Sequence, residues 1–344
     1  MAHIGILWCK PPEALPESPA GNPDDEDVIV AVLAVEGSLK RLGHTPSRIY
    51  VEDDVAPVIE WARRHPEGAV FNLCESFRGS NLAHMNMPAL LDLLGLAYTG
   101  SGPLTCGLTT HKWLTKSLLR GLGLPTPQGV LVEKDHGREA LGEACRLRYP
   151  LIVKPAFEDA SVGIDEESVV DDDAALRARV AYAHDRYGQA ALVEEFIDGR
   201  EINSGIIGND PPVALPLSEI EFDFPEGKRR MVGYRSKWVH DSFEYNNSNP
   251  VCPASLDETT AARIKGLALS AYRATGCRDY ARVDMRLDQA GQPWILEVNA
   301  NPDITDSAGL ANAAKKSRYG YDGLVRAIIE GALSRRGVLV GVRP

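Results

Sequence analysis

Arg282-Val283-Asp284 and Glu297-Val298-Asn299, separated by the turn-like Asp288-Gln289-Ala290-Gly291, decide how this chain reads. The runs that carry them, Ala281 to Leu287 and Trp294 to Ala300, are apolar enough for strands, and the polar break between them predicts a hairpin. Residues two apart on a strand share a face. Arg282 and Asp284 therefore point one way, and Glu297 and Asn299 share a face of the partner strand. Where the two faces coincide, two carboxylates, an amide oxygen and a guanidinium meet in one patch. Hard oxygen donors of this kind suit Mg²⁺, which takes few protein ligands and fills its octahedron with water and nucleotide phosphate. Acidic residues on a hairpin are otherwise solvated or salt-bridged. Here apolar neighbours argue for burial, and buried carboxylates need a cation or a pairing partner.

Composition narrows the class. A chain of 344 residues has material for two or three small domains with sizeable cores. Its formal charge of −11 argues against a nucleic-acid partner, since no basic domain is present to neutralise phosphates. The tight basic cluster Lys228-Arg229-Arg230 reads as a solvated loop. Six cysteines without CxxC spacing read as thiols of a reducing compartment. The apolar start at residues 4–9 is too short for a signal peptide, and no run approaches a membrane span. The expectation is a cytoplasmic protein with no membrane contact.

Along the chain, Ile4 to Trp8, Pro46 to Val51 and Ala69 to Leu73 read as strands, interleaved with helices at Val28 to Leu42 and Met87 to Leu94. Such alternation implies a parallel, open α/β sheet. A helix over Lys112 to Leu122 ends at Gly123, and Pro125-x-Pro127 marks a boundary. Strands at Gly129 to Val132, Leu151 to Lys154 and Ala191 to Phe196 then alternate with helices at Arg138 to Arg146 and Asp173 to Tyr187. The remainder reads as strand-rich up to a last helix at Asp322 to Ser334. It is interrupted by a polar segment, 226–249, whose length marks a functional lid or disorder.

Several short strings, in order and spacing, resemble the ATP-grasp ligases and within them the D-alanine–D-alanine ligase branch. They are Tyr98-Thr99-Gly100-Ser101-Gly102 with Lys112, Lys116 and Gly121-Leu122-Gly123-Leu124-Pro125; Leu151-Ile152-Val153-Lys154-Pro155 with Ser161-Val162-Gly163; Glu194-Glu195-Phe196-Ile197 with Glu201; Cys252-Pro253-Ala254; and the two acidic strings. The resemblance implies an N-terminal parallel α/β domain (1–111) followed by two α+β ATP-grasp subdomains (112–204 and 205–344), the last carrying the 226–249 lid. It implies ATP and two Mg²⁺ ions, with Mn²⁺ as a substitute. By the same resemblance, Lys112 and Lys154 face the α- and β-phosphates, and the loop with Ser161 lies over them. Glu194 and the backbone of Glu195, Phe196 and Ile197 meet the adenine, while Glu201 meets the ribose. Lys237 would be the lid lysine near the γ-phosphate. Asp284, Glu297 and Asn299 would be the metal ligands, and Arg282 the arginine that steadies an acyl phosphate. Lys116, by contrast, reads as an exposed helix lysine, and the Glu195 side chain as a solvated strand end.

The implied reaction joins a carboxylate to an amine, both small molecules such as amino acids or short peptides, through an acyl phosphate. The resemblance also suggests a homodimer. Two alternatives stand beside it: an authentic D-alanine–D-alanine ligase of cell-wall synthesis, and a non-catalytic ATP-binding regulatory protein. The amino-acid half departs from the branch's pattern. Asn72 to Ser80 replaces its His-Gly and Gly-Glu-Asp-Gly strings. Ala160 stands where the branch has a serine, Trp238 where it has a lid tyrosine, Asp303 where it has a glycine and Ala308 where it has a serine. Glu75, Arg78, Trp238, His240 and Asp303 are therefore the candidate substrate contacts, with an exposed loop histidine as the plain reading of His240. The acidic run Asp24-Asp25-Glu26-Asp27 suits either a substrate ammonium or a helix start favoured by the macrodipole.

Overall fold

The computed structural model describes residues 1–9, 23–135 and 138–335; the side chains of 23–27 and 138 lie outside this description, and with them the acidic run 24–27. Three sheets organise the chain. The first is parallel, with strands β1 (His3–Cys9), β2 (Thr45–Val51), β3 (Ala69–Asn72) and β4 (Ala97–Tyr98) in the order β2-β1-β3-β4. Helices α1 (Pro23–Arg41), α2 (Ala56–Arg64) and α3 (Asn86–Leu93) connect them. The alternating pattern is thus an open α/β sheet, as expected. A helical pair, α4 (Pro103–Thr110) and α5 (Lys112–Gly121), leads on; the His111 ring between them accepts from Leu114 N–H and caps α5.

The second sheet is antiparallel: β5 (Gly129–Val132), β6 (Leu151–Pro155), β7 (Val169–Val170) and β8 (Ala191–Glu195) in the order β5-β8-β6-β7, with α6 (Arg138–Ala144) and α7 (Asp173–Tyr187) on one face. α7 has the ends its sequence specifies. The Asp172 carboxylate accepts from the N–H groups of Ala174 and Ala175, and Gly188 closes the helix at φ 66°.

The third sheet holds β9 (Gly199–Ile207), β10 (Val213–Ala214), β11 (Ser218–Phe222), β12 (Ser248–Val251), β13 (Tyr280–Asp288) and β14 (Pro293–Asn299), ordered β12-β11-β9-β13-β14 with β10 beside β9. The hairpin is β13–β14. Alternation along β13 divides its faces: Ala281, Val283, Met285 and Leu287 enter an apolar core, leaving Arg282, Asp284 and Arg286 on the other face; on β14 both Ile295 and Val298 reach that core because a bulge shifts the register between them. Covering that core is α10 (Glu258–Ala274), capped by Asp257 and burying Ile264, Ala268, Ala271 and Tyr272. The sequence reading took this stretch as strand-rich. The spacing of its buried residues, four and three apart, is helical, and that period outweighs the strand signals of its neighbours.

The polar segment 226–249 also departs from expectation, because it carries structure of its own: α8 (Tyr234–Trp238) and α9 (Phe243–Asn246). Nor is its basic cluster a solvated loop. Lys228 lies 2.9 Å from Glu244 and 3.0 Å from Glu166, and Arg229 lies 2.6 Å from Asp171, tying the segment to the second sheet's edge. The described residues finish with α11 (Gly309–Lys315) and α12 (Gly320–Ser334), whose apolar faces share one core with α1 and with Ile4, Ile6 and Phe71 of the first sheet. Among the described residues, no helix is long and apolar enough to cross a membrane.

Candidate active site

The register of the third sheet builds the site row by row. Asn203 on β9, Asp284 on β13 and Glu297 on β14 are direct cross-strand partners. Arg282 stands opposite Asn299 in the next row, and Arg286 opposite Glu201. A bulge between Asp284 and Met285 leaves Leu296 unpaired and re-aims β14 just before Glu297. The two faces, whose coincidence the sequence leaves open, therefore do coincide. Arg282 forks onto Asp284 with bonds of 2.7 and 2.8 Å. Asn203 donates to Asp284 at 2.7 Å, and Asn299 donates to Asp284 at 2.9 Å and to Glu297 at 3.3 Å.

Electrostatics set the two carboxylates apart. Burial opposes ionisation of Glu297, but Lys112, Lys237 and Arg282 outweigh it and hold its carboxyl far below the ordinary range. Asp284 is raised, because burial and the Glu297 charge exceed the help of Arg282. Burial also lowers Lys237, and the Arg282 charge lowers it further. Among the described residues no three His, Cys, Asp or Glu side chains cluster as a cage. Two carboxylates in one row, with an amide oxygen available by half a turn of Asn299, still match a hard divalent cation that takes its remaining oxygens from phosphate and water.

Two cavities meet at this row. The first runs between the second and third sheets. Its walls include Lys112, Lys154, Ser161, Glu194, Glu195, Phe196, Ile197, Glu201 and Lys237, together with Asp284 and Glu297. Every residue expected at the nucleotide is thus in one place. Ile152, Ile164, Phe196 and Met231 give it an apolar slot. The second, larger cavity opens toward the first sheet and is lined by Glu75, Arg78, Trp238, Arg282, Asn299 and Asp303; Lys237, Glu297, Glu158 and Asp159 line both. His240 lines neither, and its ring packs on Tyr245 at 4.7 Å. Arg78 donates to the Asp53 carbonyl at 2.7 and 3.0 Å, and Asp303 accepts from Thr305 N–H at 2.7 Å.

A seam roofs the first cavity. After β6 the backbone turns through Ala160 (φ 53°) and Ser161 (φ 63°), consecutive left-handed residues that cost about 1 kcal/mol or more each. Gly163 (φ 74°) completes the loop; a Cβ there would lie 2.6 Å from Pro155. The lid segment binds this loop at three points: the Ser161 hydroxyl donates to Val232 C=O (3.3 Å), Tyr234 N–H donates to Ile164 C=O (2.8 Å), and the Trp238 indole donates to Ala160 C=O (2.9 Å). Lys112 closes the corner, donating to the Glu158 carbonyl and lying 3.9 Å from Glu297.

Lys116 is the clearest correction. It is 1% exposed, not on the surface, and its ammonium lies 2.7 Å from the buried carboxylate of Glu194. Lys154 meets the other oxygen of Glu194 at 3.2 Å, so this glutamate is held between two lysines. Arg286 and Asn203 went unread. Arg286 bonds Glu201 (2.9 Å), Ile197 C=O (3.0 Å) and Arg230 C=O (2.6 Å). Two residues beyond Asp284 on a strand, it had to share that face, and the signal was available.

Against known proteins, residues 118–330 match the family model of the D-alanine–D-alanine ligase C-terminus. The chain is 38% identical over 253 residues to a D-alanine–D-alanine ligase of Marinomonas sp., covering 72% of this chain and 73% of that one. It is 36% identical over 268 residues to the uncharacterised protein y4sG of Sinorhizobium fredii, covering 78% and 75%. In fold it is similar to a D-alanine–D-alanine ligase from Bacillus anthracis complexed with ATP (TM-score 0.75, 22% identity, 98% and 99% covered). The VanG D-Ala:D-Ser ligase of Enterococcus faecalis is similar too (TM-score 0.74, 19% identity, 96% and 99% covered). A register row of two carboxylates, a seam-roofed slot beside it and these relatives converge: the chain belongs to the D-alanine–D-alanine ligase family of ATP-grasp proteins and is an ATP-dependent ligase forming C–N bonds.

Proposed function

We propose that this enzyme joins the carboxylate of one amino acid or small peptide to the amine of another through an acyl phosphate, with substrates other than two D-alanines. The observation that carries the reading is the row Asn203–Asp284–Glu297 at the junction of the cavities, with Lys112, Lys237 and Arg282 directed at it. ATP would occupy the first cavity, its purine in the apolar slot, its ribose at Glu201 and its phosphates toward Lys112, Lys154 and Lys237. When bound, two Mg²⁺ ions on Asp284, Glu297 and Asn299 would offset phosphate charge as Lewis acids. The carboxylate enters from the second cavity and attacks the γ-phosphorus in line, releasing ADP. The amine then attacks the acyl carbon, phosphate leaves with the bonding pair, and the amine's proton is lost. Arg282, facing the second cavity, stabilises the negative oxygen of that step. The setting we infer is cytoplasmic, with a homodimer as the assembly.

Substrate choice rests on the departures. Glu75, Arg78 and Asp303 line the second cavity, and Ala308 offers no hydroxyl where the branch has a serine. A site discriminates through the polar groups it supplies, so a different set selects a different pair. The test is a mass-spectrometric screen of amino acids and dipeptides with ATP and Mg²⁺. The expected result is ADP and phosphate in step with a new amide, and little turnover with D-alanine alone. ATP consumption that no carboxylate stimulates would leave the regulatory-binder reading standing.

The seam yields a second expectation. An acyl phosphate hydrolyses wherever water reaches it, and the Trp238 bond to Ala160 helps exclude water. Trp238→Phe keeps an aromatic ring and deletes the indole N–H. Phosphate released per amide formed should rise several-fold, with the melting temperature nearly unchanged. An unaltered ratio removes the indole from lid closure.

A further inference from the structure

We propose that Lys116 is a positioning residue: its ammonium neutralises Glu194 and so frees the charge of Lys154 for an anionic ligand. Lys116 lines neither cavity, so it cannot touch a ligand there. Its ammonium lies 2.7 Å from Glu194 Oε1 and donates to Thr126 Oγ1 at 3.3 Å. Glu194 is 1% exposed, and the Lys116 ammonium is the cation that meets its Oε1, so that charge is what compensates the atom. Lys154 contacts Oε2 at 3.2 Å and, unlike Lys116, reaches the first cavity.

With both lysines protonated the trio carries one net positive charge, displayed by Lys154. Burial pushes Lys116 down to about 8, Glu194 pulling it up and Lys154 pushing it further down, so it stays charged at neutral pH. Remove the Lys116 charge, and Glu194 and Lys154 cancel. A phosphate must then compete with a buried carboxylate for one ammonium. Thr126 also donates to Ile295 C=O at 2.9 Å, two residues before Glu297, so the same lysine ties the floor of the slot to the metal-bearing strand.

This inference rests on the first cavity being the nucleotide site. The experiment is calorimetric titration of the full chain with ADP and with adenosine. Lys116→Met should weaken ADP by about tenfold and adenosine by less than about threefold. In a background already carrying Glu194→Gln, the same substitution should cost ADP less than about twofold, since no anion is left to capture Lys154. An unchanged ADP affinity in Lys116→Met, an equal loss for both ligands, or a tenfold loss in the Glu194→Gln background each overturns the proposal. If Lys116→Met does not fold, the comparison of Glu194→Gln with the double variant decides; failure of both to fold assigns Lys116 to structure alone. ADP that does not bind the unaltered protein overturns the nucleotide-site reading itself.

Discussion

Glu297→Gln should leave a folded protein whose turnover falls by about a hundredfold or more, the loss expected when several kcal/mol of charge stabilisation leave a phosphoryl-transfer site. The side chain keeps its length, and its amide oxygen can still accept from Asn299, so the β13–β14 register has no reason to shift. What disappears is the anion that Lys112, Lys237 and Arg282 hold ionised against burial. Lys112 keeps Asp159 at 3.4 Å, but Lys237 and Arg282 lose one of their compensating carboxylates, and the pair that would hold divalent cations is reduced to Asp284 alone. Initial rates of ADP release, read beside a thermal melt, check this. Near-normal rates would move the centre of the reaction away from this row.

The hairpin was readable because alternation holds on each strand over the stretch that carries its acidic string, the bulge falling outside both. Once two short acidic strings sit on paired strands, their facing is a matter of parity, and Arg282, Asp284, Glu297 and Asn299 came together as expected. The first cavity was readable for another reason: Lys154 ends an apolar strand, and a charge in such a place requires a partner or a ligand. Long-range neighbours were not readable. Whether Lys116 faces solvent or Glu194 depends on how the tertiary fold brings α5 beside Glu194 of β8, almost eighty positions further along, and helix periodicity carries no record of that. Asn203 needed the pairing of β9 with β13, a register that only the assembled sheet fixes. His240 shows the opposite failure. Two positions from Trp238 on the lid, it was grouped with the site, yet the end of α8 turns it onto Tyr245.

Lys237→Ala should abolish most turnover, on the order of a hundredfold to a thousandfold, while the melting temperature stays level or rises slightly. The two expectations have opposite signs because the ammonium does not hold the lid. Ser161, Tyr234 N–H and the Trp238 indole make the bonds of the seam, none through Lys237. The ammonium is itself disfavoured in the folded state: burial lowers its pKa, and the Arg282 charge adds to that, against partial help from Glu297 and Asp284. A lysine depressed on folding costs stability wherever it is charged in both states. That cost is fully present below the folded pKa and fades as pH rises toward the unfolded value. Removing the side chain relieves it at neutral pH. A group that strains the fold yet sits where both cavities meet is explained by the arrival of a triphosphate. ATP should accordingly raise the melting temperature of the unaltered protein more than that of Lys237→Ala. A variant that melts early and turns over normally would make Lys237 a structural residue of the lid.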